Sequence, residues 1–265
     1  MFWRKKRKRK KIGLALGGGS VRGAAHLGVL EVLEREGIRP DCVAGVSAGS
    51  VVGAVYCAGL DLDEIKRLAL DLHWRKLGRV TRPRLGFLDG QRLEAYLEES
   101  IGPLQFEELE IPLAAVAVDI VRGELVVLKE GPVAPAVRAS CAIPGVFTPL
   151  ERGEQILVDG GVLNNLPVSV AREMGADYVI AVDLLPPTIW GSRPRNLFEM
   201  FYISFYTSLR AAHSEATEAD CLIVPAIGKF NWVDFSQIGA LIEKGREAAE
   251  AKIEQVKQDL ELQVC

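Results

Sequence analysis

The sequence predicts an α/β chain, a three-layer α/β/α sandwich around a central, mostly parallel sheet. Three observations carry the prediction. Short runs rich in Val, Ile and Ala, the mark of strands covered on both faces, alternate with segments of helical period. Glycine clusters stand where several of these runs meet the next helix, as the turns of βαβ units require. The composition, 49% apolar and 25% charged over 265 residues, is that of a chain with a sizeable core and excludes disordered or fibrous classes.

In chain order, strands are expected at Ile12–Leu16, Cys42–Val46, Leu113–Val118, Glu124–Leu128, Gln155–Val158, Tyr178–Val182 and Cys221–Val224. Helical patterns fill the gaps at Gly23–Glu36, Ala48–Ala58, Leu62–Leu72, Gly90–Ser100, Ala134–Ala139, Leu166–Met174, Asn196–Ala219 and about Ser236–Leu260. The last repeats apolar residues at Ile238, Leu241, Ile242, Gly245, Ala249, Ile253, Val256 and Leu260, one stripe expected to pack on the body. In Asn196–Ala219 the cluster Phe198, Phe201, Tyr202, Phe205 and Tyr206 reads first as core, with a dimer face or an acyl-chain contact as alternatives. No repeat or linker divides the chain. Residues 12–265 are expected to form a single domain behind a basic, disordered tail, residues 1–11.

Charge is uneven along the chain. Arg4 to Lys11 are eight consecutive basic residues; of 32 Lys+Arg against 35 Asp+Glu, their removal leaves 24 against 35 beyond the tail. The five cysteines (Cys42, Cys57, Cys141, Cys221 and Cys265) are odd in number and lack CxxC spacing, which fits a reducing cytoplasm. Ile12–Leu16 is too short for a secretory signal core. The uncharged stretch Cys42–Leu60 is interrupted by Gly45, Ser47, Gly49, Ser50, Gly53 and Gly59, and reads as strand, turn and buried helix rather than a membrane span.

Two basic patches suggest peripheral contact with the inner membrane surface, at about 1 kcal/mol per cation near an anionic leaflet. One is the tail, where Met1-Phe2-Trp3 precedes the basic run; the other is His73–Arg84, with five Lys and Arg, no acid and Trp74. The second reads equally as a lid or gateway loop and as a solvated loop. No nucleic-acid partner is expected, and a homo-oligomer is compatible with the sequence.

The sharpest chemical signal is Gly45-Val46-Ser47-Ala48-Gly49, a G-x-S-x-G placed where a β-branched run meets a small-residue helix. A tight strand-to-helix turn forces strained backbone angles and leaves no room for side chains two residues either side of the serine. Leu16-Gly17-Gly18-Gly19-Ser20-Val21-Arg22-Gly23 follows the first strand. It lacks the G-K-[ST] of a triphosphate loop, and Arg22 stands where a dinucleotide fingerprint needs glycine. An oxyanion loop leads, with a packing turn as the alternative. Of His26, His73 and His213, only His213 follows every candidate acid, and nothing positions it, so a Ser–His–Asp triad is not expected. Asp159 in Ile156-Leu157-Val158-Asp159-Gly160-Gly161 ends an apolar strand. Burial would raise its pKa toward useful basicity, and proton transfer from Ser47 becomes plausible; an ordinary Asp-Gly-Gly turn is the alternative.

These elements, in this order, resemble the patatin-like phospholipase family, on its bacterial and neuropathy-target-esterase-like side. Similarity continues through Ala139-Ser140-Cys141-Ala142-Ile143-Pro144-Gly145-Val146-Phe147 and Asn164-Asn165-Leu166-Pro167-Val168, about residues 12–185 in all. The resemblance implies a serine acyl hydrolase of the phospholipase A or lysophospholipase type, acting on phospholipid or another acyl lipid through an acyl-enzyme. Ser47 would be the nucleophile and Asp159 its base. The main-chain amides of Gly17, Gly18, Gly19 and Ala48 would form the oxyanion hole, with Arg22, Gly23, Gly45, Gly49, Gly160 and Gly161 in support. Arg22 would either brace the loop or meet an anionic head group. No cofactor and no metal is implied. Two other readings stand beside this one: an esterase or thioesterase on soluble acyl groups, and a non-catalytic lipid-binding regulatory module.

Overall fold

The structure is a computed structural model that describes residues 9–81, 85–185, 193–194, 197–211 and 215–261; of these, the side chains of 197–199, 201, 202 and 211 are not described. The first half of the chain runs β1 (Ile12–Leu16), α1 (Ala25–Arg35), β2 (Cys42–Val46), α2 (Ala48–Cys57), α3 (Leu62–Leu70), α4 (Trp74–Leu77), β3 (Arg79–Val80), β4 (Gly86–Asp89) and α5 (Gln91–Ile101). It continues with β5 (Leu113–Asp119), β6 (Glu124–Leu128), α6 (Val133–Ser140), β7 (Gly145–Phe147), β8 (Leu150–Arg152), β9 (Gln155–Asp159) and α7 (Val168–Glu173). The rest is β10 (Tyr178–Val182), α8 (Leu197–Ala211), β11 (Cys221–Ile223), α9 (Ile238–Glu250) and α10 (Ile253–Asp259).

Eight of these strands form one sheet in the order β11-β10-β1-β2-β5-β9-β8, with β6 also paired to β5. The five from β11 to β5 are mutually parallel, and β6, β9 and β8 are added antiparallel. Residue alternation divides the core into two. Leu14, Leu16, Val43, Leu113, Ala115, Ile180 and Val182 face one side, toward α1, α2, α6 and α9. Ala15, Ala44, Val46, Ala114, Val116, Val179 and Ala181 face α7 on the other. Helix, sheet and helix are the three layers expected from the buried strand runs.

One edge of β5 positions the site. Along Ala115–Val116 β5 pairs with both β2 and β6, so these lie on opposite edges; along Ala117–Asp119 it pairs with both β6 and β9. Strands β2 and β9 therefore share an edge. They run toward each other along it, β2 ending at Val46 opposite Val116 and β9 ending at Asp159 opposite Ala117. The residue after Val46 is Ser47.

Several expected elements are corrected. The last helix is broken at Ala251–Lys252 into α9 and α10, while Ile238, Leu241, Ile242, Gly245, Ala249, Ile253 and Val256 remain buried as one stripe. The helix assigned to Asn196–Ala219 ends at Ala211, and Glu215–Glu218 is a separate 3-10 turn. The segment Gly23–Glu36 opens as a 3-10 turn, Ser20–Ala24, before α1. His73–Arg84, read as a loop, contains α4 and β3. Strand β3 pairs with β4, and β4 with β7. The tail assigned to residues 1–11 is anchored at its end: Arg9 donates to both oxygens of Asp41 (2.8 and 2.7 Å), Lys10 to the Asp259 carbonyl (2.8 Å) and the Lys11 N–H to Asp177 (2.9 Å). Residues 1–8 and Cys265 lie outside the described residues, as do Phe198, Phe201 and Tyr202 as side chains; Phe205 is half-buried and Tyr206 buried. Among the described residues no helix is long and apolar enough to cross a membrane.

Helix α9 is seated on α1 through two glycines. A Cβ on Gly28 would meet the Ile242 carbonyl oxygen at 1.9 Å, and one on Gly245 the Ala25 carbonyl oxygen at 1.8 Å. The helices cross backbone to backbone, with no room for a methyl group. Gly239, on the same helix, has nothing within 4 Å of its Cβ position. Gly245→Ala is expected to destabilise the protein by about 1–3 kcal/mol and to lower Tm by several degrees. Gly239→Ala should stabilise it by up to ~1 kcal/mol through helix propensity. Paired thermal melts check both signs.

Candidate active site

Ser47 has φ 51° and ψ −123°, a conformation strained for a residue with a Cβ. Two features hold it there. Its N–H donates to Ser140 Oγ (2.9 Å), which in turn donates to the Val116 carbonyl on β5 (2.6 Å). Its carbonyl accepts the N–H of Ser50 (2.9 Å) and that of Val51 (3.2 Å), and also the Ser50 hydroxyl (2.7 Å), which starts α2 directly. The flanking glycines supply space. A Cβ on Gly45 would lie 2.6 Å from the Gly49 carbonyl oxygen, and one on Gly49 would lie 2.2 Å from that of Leu16. A Cβ on Gly23 would lie 2.5 Å from Cβ of Ala48, so the glycine-rich loop rests against the start of α2.

Asp159 is buried at the tip of β9, its N–H tied to the Ala142 carbonyl (2.9 Å). Burial raises its pKa from 3.8 to about 6, while the nearby Ser47 hydroxyl and a hydrogen bond from the Gly161 N–H (2.8 Å) pull the other way. Gly160 lets the turn after the acid lie on β5, where a Cβ would sit 2.3 Å from the Val116 carbonyl oxygen. Val116 O thus receives the Ser140 hydroxyl and lies against Gly160, so the serine turn and the acid turn are gauged from one point on β5.

The glycine-rich loop is only partly available to a ligand. The Gly17 N–H extends the strand ladder to the Val182 carbonyl (3.1 Å), and the Gly18 N–H donates to the Asn165 carbonyl (3.1 Å). These two amides, expected among the oxyanion donors, are already spent on the fold. The Gly19 N–H has no partner among the described residues, and Ala48, first residue of α2, has no intrahelical acceptor for its own. Gly19 and Ala48 are the donors that the geometry leaves open.

Sequence reasoning gave no role to two residues that set this loop. His26, fully buried, bonds the Gly17 carbonyl through Nε2 (2.8 Å); desolvation drives its pKa down to about 4, so it is neutral and donates. Asn165, also buried, donates from Nδ2 to the Gly18 carbonyl (3.2 Å). A trans peptide holds its C=O and N–H antiparallel. Drawing the Gly18 carbonyl toward Asn165 therefore turns the Gly19 N–H the opposite way. Asn165 Oδ1 also lies 2.8 Å from the Cβ position of Gly161, so one side chain touches both the acid's turn and the glycine loop. A fully polar histidine inside an apolar helical segment was the available signal for His26.

Arg22 is buried. Its guanidinium donates to the Phe230 carbonyl through Nη2 (2.9 Å) and Nε (3.3 Å), and stands 5.8 Å over the Tyr206 ring. Of its two expected roles, the contacts are those of a brace between the loop and the segment before α9. His73 is exposed, bonding the Asp71 carbonyl, and His213 lies outside the described residues. Among the described residues no cluster of His, Cys, Asp and Glu could hold a metal.

Ser47 stands where two cavities meet. The smaller, about 40 Å³, holds Gly18, Gly19, Asp159 and Asn165, with Tyr206 and Leu209 of α8 across from them. The larger, about 140 Å³, is almost wholly apolar and runs from Ser47 along Val51, Val52 and Val55 of α2, between α1, α3 and α5. Trp74, edge-on to Phe235 with ring centroids 5.3 Å apart, closes part of its wall. With Ala48, these three valines line a passage about 10 Å long, from the helix rise.

Comparison with known proteins bears on the family and the fold. Uncharacterised NTE family proteins of Mycobacterium tuberculosis are similar to the chain, one 40% identical over 177 residues (66% of this chain, 49% of the relative). Another is 32% identical over 275 residues (92% of this chain, 47% of the relative). The chain thus spans about half the length of these relatives. The neuropathy target esterase sws of Drosophila melanogaster is 33% identical over 183 residues, 65% of this chain and 13% of that protein. In fold the chain is similar to VipD from Legionella pneumophila, with a TM-score of 0.61 at 15% identity, covering 94% of this chain and 67% of that one. A type III effector, ExoU, gives 0.53 at 14% identity, covering 94% and 53%. The family model described as patatin-like phospholipase matches residues 14–172, and the chain belongs to that family.

Proposed function

We propose that the protein hydrolyses fatty-acyl esters of phospholipids or related lipids, with Ser47 as nucleophile and Asp159 as its base. The observation that carries this reading is the serine held at positive φ on the wall of one cavity with a buried carboxylate whose pKa burial raises to about 6. At neutral pH Asp159 is ionised and more basic than an aspartate in water, so it can take the Ser47 proton as the hydroxyl attacks an ester carbonyl. The developing oxyanion is received by the N–H groups of Gly19 and Ala48, at the positive end of α2. Collapse expels the alcohol with a proton from Asp159, leaving an acyl-enzyme that water, deprotonated by the same carboxylate, hydrolyses. The apolar cavity along α2 favours a long acyl chain over the small acyl groups of a soluble esterase.

Ser47→Ala and Asp159→Asn should each lower turnover of an acyl ester by at least about 10³-fold. A fluorophosphonate probe should label Ser47 in the wild type and leave Ser47→Ala unlabelled. Rates should rise with the acyl chain from butyrate to longer nitrophenyl esters; a decline would favour the soluble-ester reading.

The pH profile has a defined sign. The base works ionised, so kcat/KM should fall as pH drops through about 6. Stability moves oppositely: the folded acid binds its proton more tightly than the unfolded one, so stability is lost as pH rises from 3.8 to about 6. Ionising the buried group costs on the order of 3 kcal/mol more than in water. Asp159→Asn removes that cost, and its Tm at pH 8 should equal or exceed that of wild type while activity is lost.

Asn165→Ala should lower kcat about 10- to 100-fold with KM within about 3-fold, because it frees the Gly18–Gly19 peptide to rotate without touching the acyl cavity. The acid limb of its pH profile should stay near 6. Steady-state kinetics beside a thermal melt check this.

A further inference from the structure

We propose that the ribbon of β3 and β4 is the surface through which the protein docks on an anionic phospholipid membrane, beside the mouth of the apolar cavity. Its purpose rests on the acyl-hydrolase reading; its geometry does not. In a strand, neighbouring side chains point to opposite faces. Val80 pairs in register with Leu88, so the two share one face, and Phe87 occupies the other. Val80 is 80% exposed, Phe87 56% and Leu85, just before β4, 48%. With β7 paired along the other edge of β4, these strands form a three-stranded sheet whose edge strand β3 leaves Val80 exposed on one face, while Phe87 of β4 is exposed on the other.

The charge beside it fits lipid phosphate. Arg75 and Arg79 are exposed, and their side chains have no acidic partner among the described residues; Asp89, across from Arg79, accepts the Gln91 N–H instead (3.0 Å). The ribbon is continuous with the cavity wall. Leu77, the residue before Gly78-Arg79, lines the cavity, and so does Phe147, which pairs in register with Leu88. An acyl chain leaving a bilayer at this ribbon enters the cavity without crossing water, which favours transfer by the area it keeps dry.

The basic tail is placed differently. Residues 9–11 lead into the N-terminal end of β1, whereas Ser47 and the glycine loop follow the C-terminal ends of β2 and β1. Residues 9–11 join the body at the end of the sheet away from the site, whereas the ribbon adjoins the cavity wall through Leu77 and Phe147.

The test is sedimentation of the full chain with vesicles of phosphatidylcholine, with and without phosphatidylglycerol, beside hydrolysis of a soluble nitrophenyl butyrate. Wild type and Ser47→Ala should bind anionic vesicles alike. Val80→Glu/Phe87→Glu should bind them at least about 10-fold more weakly, and Arg75→Ser/Arg79→Ser about 30-fold more weakly, from two cations at the surface. The same fold-losses should appear in the chain without residues 1–8. Butyrate hydrolysis by the surface variants should stay within about 2-fold of wild type. Vesicle binding unchanged in both surface variants would overturn the proposal. So would a lipid-free dimer dissolved by the same substitutions, which would give the face to a second copy. Should the glutamate variant not fold, the arginine variant, altered only at exposed side chains, decides alone. Vesicle binding that depends on the ribbon, with Ser47 inert to fluorophosphonate, would uphold docking and sink the hydrolase reading.

Discussion

Strand β5 offers one edge to two strands that run toward each other, and the proposed chemistry depends on that collision. Strand β2 arrives parallel and stops opposite Val116; β9 arrives antiparallel and stops opposite Ala117. Neither can continue without displacing the other, so both chains must turn out of the sheet at the same place. One turn carries Ser47 and the other Asp159. Their meeting follows from register, which a single-residue slip would destroy by moving every buried side chain to the wrong face.

Holding a strained serine and a buried acid together is unfavourable locally, and the surroundings offset it. The Ser140 hydroxyl bridges the Ser47 N–H to the Val116 carbonyl, and small residues remove the side chains that would push the turns apart. The same economy of volume recurs where α9 crosses α1 at Gly28 and Gly245. That crossing fixes the segment before α9, whose Phe230 carbonyl receives Arg22 from the glycine loop. Helix α9 thus bears on the glycine loop through a guanidinium, while no residue of α9 or α10 lines the smaller cavity.

Much of this was legible in the residues themselves. Strands β1, β2, β6 and β10 were placed to the residue, because their apolar runs are bounded sharply by Gly, Ser, Asp or Lys. Strands β3, β4, β7 and β8 were not, being two to four residues long and held by partners such as Gly86 and Gly145 that lie far apart in sequence. The break at Ala251–Lys252 escaped because the apolar stripe keeps its period across it. Ser47 and Asp159 could be named from local turn chemistry. Which amides of three consecutive glycines remain free could not, since it is decided by the carbonyls of Val182 and Asn165, more than a hundred residues away. His26 and Asn165 act on backbone carbonyls rather than on one another, and such contacts leave no spacing to read.

The most direct measurement of the central claim is a crystal structure of the protein after covalent phosphonylation. Phosphorus is expected on Ser47 Oγ, its oxygen within about 2.7–3.1 Å of the Gly19 and Ala48 nitrogens, and the Asp159 carboxylate within hydrogen-bond reach of Ser47 Oγ. A phosphonyl oxygen turned to solvent with both amides unoccupied, or an Asp159 carboxylate beyond reach of the adduct, would contradict it.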